Sequence, residues 1–404
     1  MPIFAIQYLE DSPEIAGITP QAARSRLQDA LDRLPITLVL LGWHLPAALL
    51  SACAEVCQRG GARLYRWHPL LTGDGTLMPR PEWQVIGLYG DPVPGFQGKP
   101  EFTFVCPNRP AVRDAVLSHL RDVLHDGRYQ GVFLDRIRYP SPAAGPGALG
   151  CFCEDCHRAA DQEGFDLDAA RHRISQMITT RKGAQEFVCI LLDPSGAAAS
   201  DPDHQALAAF LDFRARSVTR LICEAAELIH GMGCAVGLDA FTPVLAHMVG
   251  QDLGTLDECA DWIKIMSYGH AFGPAGMPFE LLGLANGLFE THRLPESDVL
   301  AWLAGATGLS LPMDRNGLRT RGLPPDALQG QVLRARESGV TTLLAGVELV
   351  EMPDVSELNH AQIRADLTAF RTAGADGLVL SWDLWAMPLE RLDLVREVWT
   401  SPVI

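Results

Sequence analysis

The sequence predicts an α/β protein of (β/α)8 TIM-barrel type, and three observations carry that prediction. Eight short apolar runs rich in Val, Ile, Leu and aromatic residues recur along the 404 residues, as buried strands should. Most are separated by stretches with the spacing of amphipathic helices. The runs are continuously apolar, as expected of parallel strands covered on both faces. A doubly wound open sheet is the rival architecture. No Gly-x-Gly-x-x-Gly follows a strand, so the barrel is preferred.

In chain order the candidate strands fall at 3–8, 36–42, 61–67, 131–135, 234–239, 262–266, 341–347 and 377–382. Helical periodicity fills Pro20 to Leu34, Pro46 to Gln58, Ala111 to His125, Leu207 to His230, and Pro324 to Glu337, the last ending before Gly339. The run at 298–303 is apolar too, but Pro295-Glu296-Ser297-Asp298 reads as a helix start. Three segments exceed a minimal barrel: about 69–105, rich in Gly and Pro, then 141–205 and 304–323. The chain 1–404 is expected to be one barrel domain whose insertions roof the mouth.

Hydrophobic residues make up 48% and charged residues 20%, the balance of a globular protein with a large core. A net charge of −16 disfavours nucleic acid as a partner, because that affinity rests on clustered Lys and Arg. The first residues carry no basic leader, and no window approaches a membrane span, so a cytoplasmic protein without a membrane partner is expected. Ten cysteines, with Cys53 and Cys57 at helical spacing, are expected to be free thiols.

In parallel barrels chemistry gathers at the C-terminal ends of the strands. The sharpest such end is Gly131-Val-Phe-Leu-Asp135, followed by Arg136, Arg138, Tyr139 and Pro140. Further strand ends supply Gln7 and Tyr8, Trp43 and His44, Trp67 and His68, Asp239, Ser267 and Tyr268 with Lys264 further in, Glu348, and Trp382 with Asp383. Four carboxylates among aromatic and imidazole groups suit a sugar: flat rings stack on its C–H faces, and paired carboxyls can cleave a glycosidic bond. Asp239 capping a turn and Asp383 pairing with an arginine are the structural alternatives for those two.

Val105-Cys106-Pro107-Asn108, the helix carrying Val112-Arg113-Asp114, and Leu134-Asp135-Arg136-Ile137-Arg138-Tyr139-Pro140 resemble a glycoside hydrolase-like TIM-barrel family whose fourth strand ends in Asp-x-Ile-Arg-Tyr/Phe-Pro. The Cys-Phe-Cys-x-x-Cys element at Cys151 to Cys156 and the segments Gly237 to Phe241, Asp261 to Tyr268 and Asp376 to Asp383 are similar to that family as well. The likeness spans roughly residues 100–390. It implies the fold and glycosidic bond cleavage, and it puts the nucleophile on Asp135. The acid/base then comes from strand five, six or seven, where Glu348 and Asp239 both match in position.

The expected reaction is retaining hydrolysis of a small glycoside or oligosaccharide. Asp135 attacks the anomeric carbon, oriented by Arg138 and Tyr139, and Glu348 protonates the leaving oxygen. Trp382 and Tyr268 would form a stacking floor with Trp43, Trp67, Lys264 and Asp383 nearby, while His44, His68 and His270 would bind hydroxyls. A non-catalytic carbohydrate-binding barrel is the alternative, distinguished by the geometry of its carboxyls.

Cys151, Cys153, Cys156 and His157 have the ligand types of a structural zinc, with His172 or a distant thiol such as Cys106 as other sources of the fourth ligand. A disulfide and reduced, packed thiols are the competing accounts. No cofactor is expected for catalysis. Zinc elements of this pattern also occur in tRNA-guanine transglycosylases, a second enzymatic reading that the acidic charge argues against.

Overall fold

A computed structural model describes residues 2–10, 13–196 and 201–400. In it the eight apolar runs become parallel strands that close into a barrel in simple sequence order. The strands are β1 (Ile3–Tyr8), β2 (Leu38–Leu41), β3 (Arg63–Pro69), β4 (Gly131–Asp135), β5 (Ala235–Phe241), β6 (Trp262–Met266), β7 (Leu343–Glu348) and β8 (Gly377–Ser381). Closure is made by β1 against β8, in register from Ile3 opposite Gly377 to Ile6 opposite Leu380.

Alternation along each strand sorts the side chains into two cores. Ala5, Leu38, Leu40, Tyr65, Trp67, Phe133, Trp262, Leu344 and Val379 fill the barrel interior as a cluster of their own. Residues of the other parity, such as Ile6, Val39, Leu64 and Val132, face the surrounding helices. Inside, Phe133 and Trp262 stack with centroids 5.2 Å apart and planes 10° from parallel. Two glycines make room for this floor. A Cβ on Gly237 would lie 2.1 Å from the Trp262 ring, and one on Gly131 would lie 2.2 Å from Tyr65.

The helices expected between strands appear as Pro20–Arg33, Ala47–Gly60, Pro110–Leu124, Pro202–Gly231 and Pro325–Glu337, and the Pro295 start leads into Glu296–Thr307. The 141–205 insertion holds three further helices, Glu154–Gln162, Leu167–Met177 and Arg181–Leu192, whereas 69–105 is largely irregular with short 3-10 turns. Among the described residues no helix is long and apolar enough to cross a membrane.

Candidate active site

One step above the aromatic floor, the same alternation brings a polar layer to the C-terminal rim. Gln7 lies two residues beyond Ala5, Asp135 beyond Phe133, Asp239 beyond Gly237, Lys264 beyond Trp262, and Ser381 beyond Val379. Glu348 ends β7 with the same parity as Leu344. These side chains lie at inward positions because a strand that turns one residue into the barrel must turn every second residue there.

Asp135 is half-buried, and its Oδ2 accepts a hydrogen bond from Trp67 Nε1 at 2.9 Å while Oδ1 accepts from the Arg136 amide. The β4–β5 register pairs Leu134 with Leu238, so Asp135 and Asp239 stand at adjacent positions on neighbouring strands. Asp239 is buried against Lys264, whose Nζ donates to its Oδ2 at 3.0 Å and to Gln7 Oε1 at 3.2 Å. Ser381 Oγ donates to the same Gln7 oxygen at 2.7 Å. Lys264 is itself wholly buried, and the missing side chain of Gly346 makes space for it: a Cβ there would meet Lys264 Cε at 2.8 Å. Burial pushes the Asp239 carboxyl up to about 7; Lys264 opposes the rise and Asp135 adds to it.

Glu348 is held from the other side of the mouth. Its Oε1 accepts from the amides of Ala271 at 2.6 Å and His270 at 3.3 Å. Burial pushes it up to about 7 as well, opposed by His270 and assisted by Asp366. Glu348 Oε2, Asp239 Oδ1 and Gln7 Nε2 are buried and have no hydrogen-bond partner within the protein. Buried polar atoms are costly unless satisfied, so these three atoms, with the likewise unpartnered Tyr268 hydroxyl, are open hydrogen-bonding positions at the rim.

The remaining sequence candidates divide. Tyr268 and Trp382 meet edge to face with centroids 5.3 Å apart, and Lys264 Nζ lies 5.3 Å from the Tyr268 centroid. Trp43 packs edge-on against Trp67 at 5.3 Å, beneath the Arg136 guanidinium at 5.1 Å. The Arg138 guanidinium sits between the rings of Phe104 and Phe241 at 4.5 and 4.6 Å. It also lines a cleft of about 610 Å³ walled by Phe96, Phe102, Phe272, Phe279 and Glu280. His44 is exposed beside the loop holding Gly75, where a Cβ would meet its Nδ1 at 2.6 Å.

Four candidates take other positions than the rim. Tyr139 turns its ring under the Arg214 guanidinium at 4.7 Å, on the cysteine side of β4, so it does not orient Asp135. His68 falls on the outward parity of β3. Its Nδ1 accepts from Arg66 Nε at 3.3 Å, next to Asp74, which His119 and Arg66 reach at 2.6 and 2.9 Å. Burial and Arg66 both hold His68 well below the usual imidazole range. Although His68, Asp74 and His119 could together approach one cation, the Arg66 guanidinium already serves that carboxylate. His270 uses its backbone for Glu348 but turns its ring to Asp366, 3.2 Å away, in a separate hollow. Asp383 lies past the end of β8 and caps backbone instead, accepting from the amides of Leu9, Glu10 and Trp385 at 3.1, 3.0 and 2.8 Å.

Two neighbours of the rim escaped the sequence reading. Glu10, just past β1, comes within 3.7 Å of Arg136. Glu280 is buried at the edge of the aromatic cleft and accepts from Ser141 Oγ at 2.5 Å and the Ala275 amide at 2.8 Å. Neither ends a strand: Glu10 lies just past β1, and Glu280 is in the first turn of the helix Met277–His292.

On the outer side of β4, Cys151, Cys153 and Cys156 meet Cys106, and the four sulfurs lie within 4.8 Å of one another. His157 stands apart from them, its Nε2 3.8 Å from Asp168.

No protein-family profile matches the chain, and no curated protein matches it. Solved structures do. The PgaB (BpsB) glycoside hydrolase domain from Bordetella bronchiseptica is similar at 14% identity and a TM-score of 0.56, covering 98% of both chains. A class V chitinase from Pseudomonas fluorescens is similar at 10% identity and 0.50, over 99% of this chain and 100% of that one. The β-galactosidase from the psychrophilic Marinomonas ef1 is similar at 12% identity and 0.55, over 98% of this chain and 59% of that longer one. What this chain shares with them is the eight-stranded parallel barrel.

Proposed function

We propose that this chain is a glycoside hydrolase that cleaves a small glycoside or oligosaccharide by a retaining, two-carboxylate mechanism. The observation that carries the reading is the rim itself: half-buried Asp135 shares it with two carboxyls held near 7, each with one oxygen lacking a partner in the protein. A group that must deliver and then remove a proton near neutrality works best with its pKa in that range.

Asp135 attacks the anomeric carbon, positioned by Trp67. Glu348, across the barrel from β4, protonates the leaving oxygen and then takes a proton from the incoming water. Asp239 is fixed by Lys264 and acts on the substrate through its unpartnered oxygen. Tyr268 and Trp382 offer rings for stacking, and the cleft beside Arg138 has room for the remainder of a glycoside. The hydrolase activities named for the similar structures agree with this reading.

The test is hydrolysis of a panel of aryl glycosides and short oligosaccharides, with the first-formed anomer read by NMR. The expected outcome is retention, with Asp135→Asn lowering kcat/KM by about 10³-fold or more and Glu348→Gln by about 10²–10⁴-fold on unactivated substrates. Unchanged rates in both variants would remove these residues from the chemistry. Saturable glycan binding with no turnover across the panel would instead identify a carbohydrate-binding barrel.

A further inference from the structure

Cys106 comes from the loop after β3; Cys151 and Cys153 come from the loop after β4, and Cys156 from the first turn of the helix Glu154–Gln162 that follows it. All four are buried, none is in a disulfide, and Cys106 Sγ lies 3.4 Å from Cys156 and 3.6 Å from Cys153. Four sulfurs at the corners of a zinc tetrahedron with ~2.3 Å bonds stand ~3.8 Å apart, close to these separations. A disulfide would use two of the sulfurs and leave the other two without a role.

Two of the sulfurs also accept hydrogen bonds from outside the cluster. The Ile86 amide donates to Cys151 Sγ at 3.3 Å, and Asn108 Nδ2 donates to Cys156 Sγ at 3.4 Å. Outer hydrogen bonds of this kind fix and stabilise metal-bound sulfur. Arg214 adds an independent observation. It is fully buried and donates to the Met248 carbonyl at 2.8 Å, while its Nε and Nη2 have no partner in the protein. No carboxylate pairs with it among the described residues; its guanidinium lies over the Tyr139 ring, and Cys151 and Cys156 are the cysteines that neighbour it. A buried guanidinium needs an anion; four neutral thiols do not supply one, and a divalent metal bound by four thiolates carries two negative charges.

We propose that Cys106, Cys151, Cys153 and Cys156 bind one zinc ion as a tetrahedral tetrathiolate that clamps the β3 and β4 loops together. Binding sends the four thiol protons to solvent and involves no redox change. The clamp joins segments that already touch: the Phe152 amide donates to the Ile86 carbonyl at 2.9 Å, and the Leu88 amide to the Gly147 carbonyl at 3.3 Å. Its stems are the strands that carry Trp67 and Asp135, so its role is to hold the roof of the candidate active site in register. His157 plays no part in it.

The experiment is metal analysis of the full chain, purified under reductant, supplied with zinc chloride and freed of excess metal. One zinc per chain is expected in the wild type and in a Cys189→Ser control, with loss of the metal in Cys106→Ser. Because Cys106→Ser could fail to fold, the wild-type protein is also exchanged into cobalt(II). The intense visible bands and sulfur-to-metal charge transfer of a tetrahedral tetrathiolate are expected, together with a lower thermal midpoint after chelation. Wild-type protein that retains no zinc while all its cysteines titrate as free thiols overturns the proposal, as does a disulfide among the four found by mass spectrometry.

Discussion

The inside of the barrel changes character between one inward-facing layer and the next. The lower layer is aromatic and closely packed, with Phe133 stacked on Trp262 and Tyr65 tilted against Trp262 at 6.0 Å. The layer above, ~6.6 Å along each strand, holds two aspartates, a glutamate and a lysine. The two layers belong to the same strands and the same parity, so the difference is one of purpose rather than topology. The floor also acts on the rim. Burial raises the carboxyls of Asp239 and Glu348, and the closely packed floor is one side of the dry surroundings that strengthen the attraction between Asp239 and Lys264. Packing that stabilises the barrel therefore also sets the protonation of its mouth.

The severest way to break this relation is Lys264→Ala. Removing the ammonium leaves Asp239 buried without its countercharge, a change expected to cost about 3–5 kcal/mol. The cost should be larger at pH 8 than at pH 5, where Asp239 is protonated and needs no partner. Urea unfolding at both pH values checks this. An equal loss at the two pH values would mean that packing of the lysine stem, not the ion pair, is what matters.

Glu348→Gln has a smaller effect of opposite sign. The folded-state carboxyl titrates near 7 against an ordinary 4.5, so between those values the folded protein binds more protons than the unfolded chain. The stability this group contributes is complete below about 4.5 and is lost as pH rises through 7. An uncharged glutamine should therefore raise stability at pH 8 by roughly 1–3 kcal/mol and change little at pH 4, even as it removes activity. Calorimetric melting of the two proteins across that range measures it. A variant less stable at pH 8 would show that the Ala271 and His270 amides favour the ionised carboxylate more than burial opposes it.

Much of this contrast was legible in the chain, because each apolar run is long enough to be one buried strand and several end on a polar residue or lead straight into one. The span 3–8 and the span 131–135 coincide with β1 and β4. What sequence position could not give was the facing of residues near strand ends. Gly61, with φ of 71°, closes the preceding helix, and β3 starts at Arg63 and runs on to Pro69, so His68 is an outward strand residue rather than a rim residue. Asp239 lies within β5, which continues to Phe241. Helices of two kinds were missed. Met277–His292 is apolar on nearly every face and has no stripe to detect, whereas His360–Thr372 is announced by a capping box between Asn359 and Gln362. The distant partner of the cysteine element was open for a different reason: Cys106 and Cys151 are separated by a strand and a helix, and only the return of both loops to the same end of the barrel brings them together.

Asp383 offers the finest test, because it sits beside the rim yet belongs to the scaffold. A carboxylate that accepts three backbone amides from two loops closes the β8 turn against the end of β1 and has little capacity left for a sugar hydroxyl. Asp383→Ala should cost about 1–2 kcal/mol, the scale of a lost cap, and should leave KM unchanged while lowering the melting midpoint. A role in substrate binding predicts the reverse, a raised KM at unaltered stability. Asp383→Asn separates the two further: its amide oxygen can still cap, so most of the stability returns, whereas a carboxylate required by the substrate would remain missing and KM would stay high.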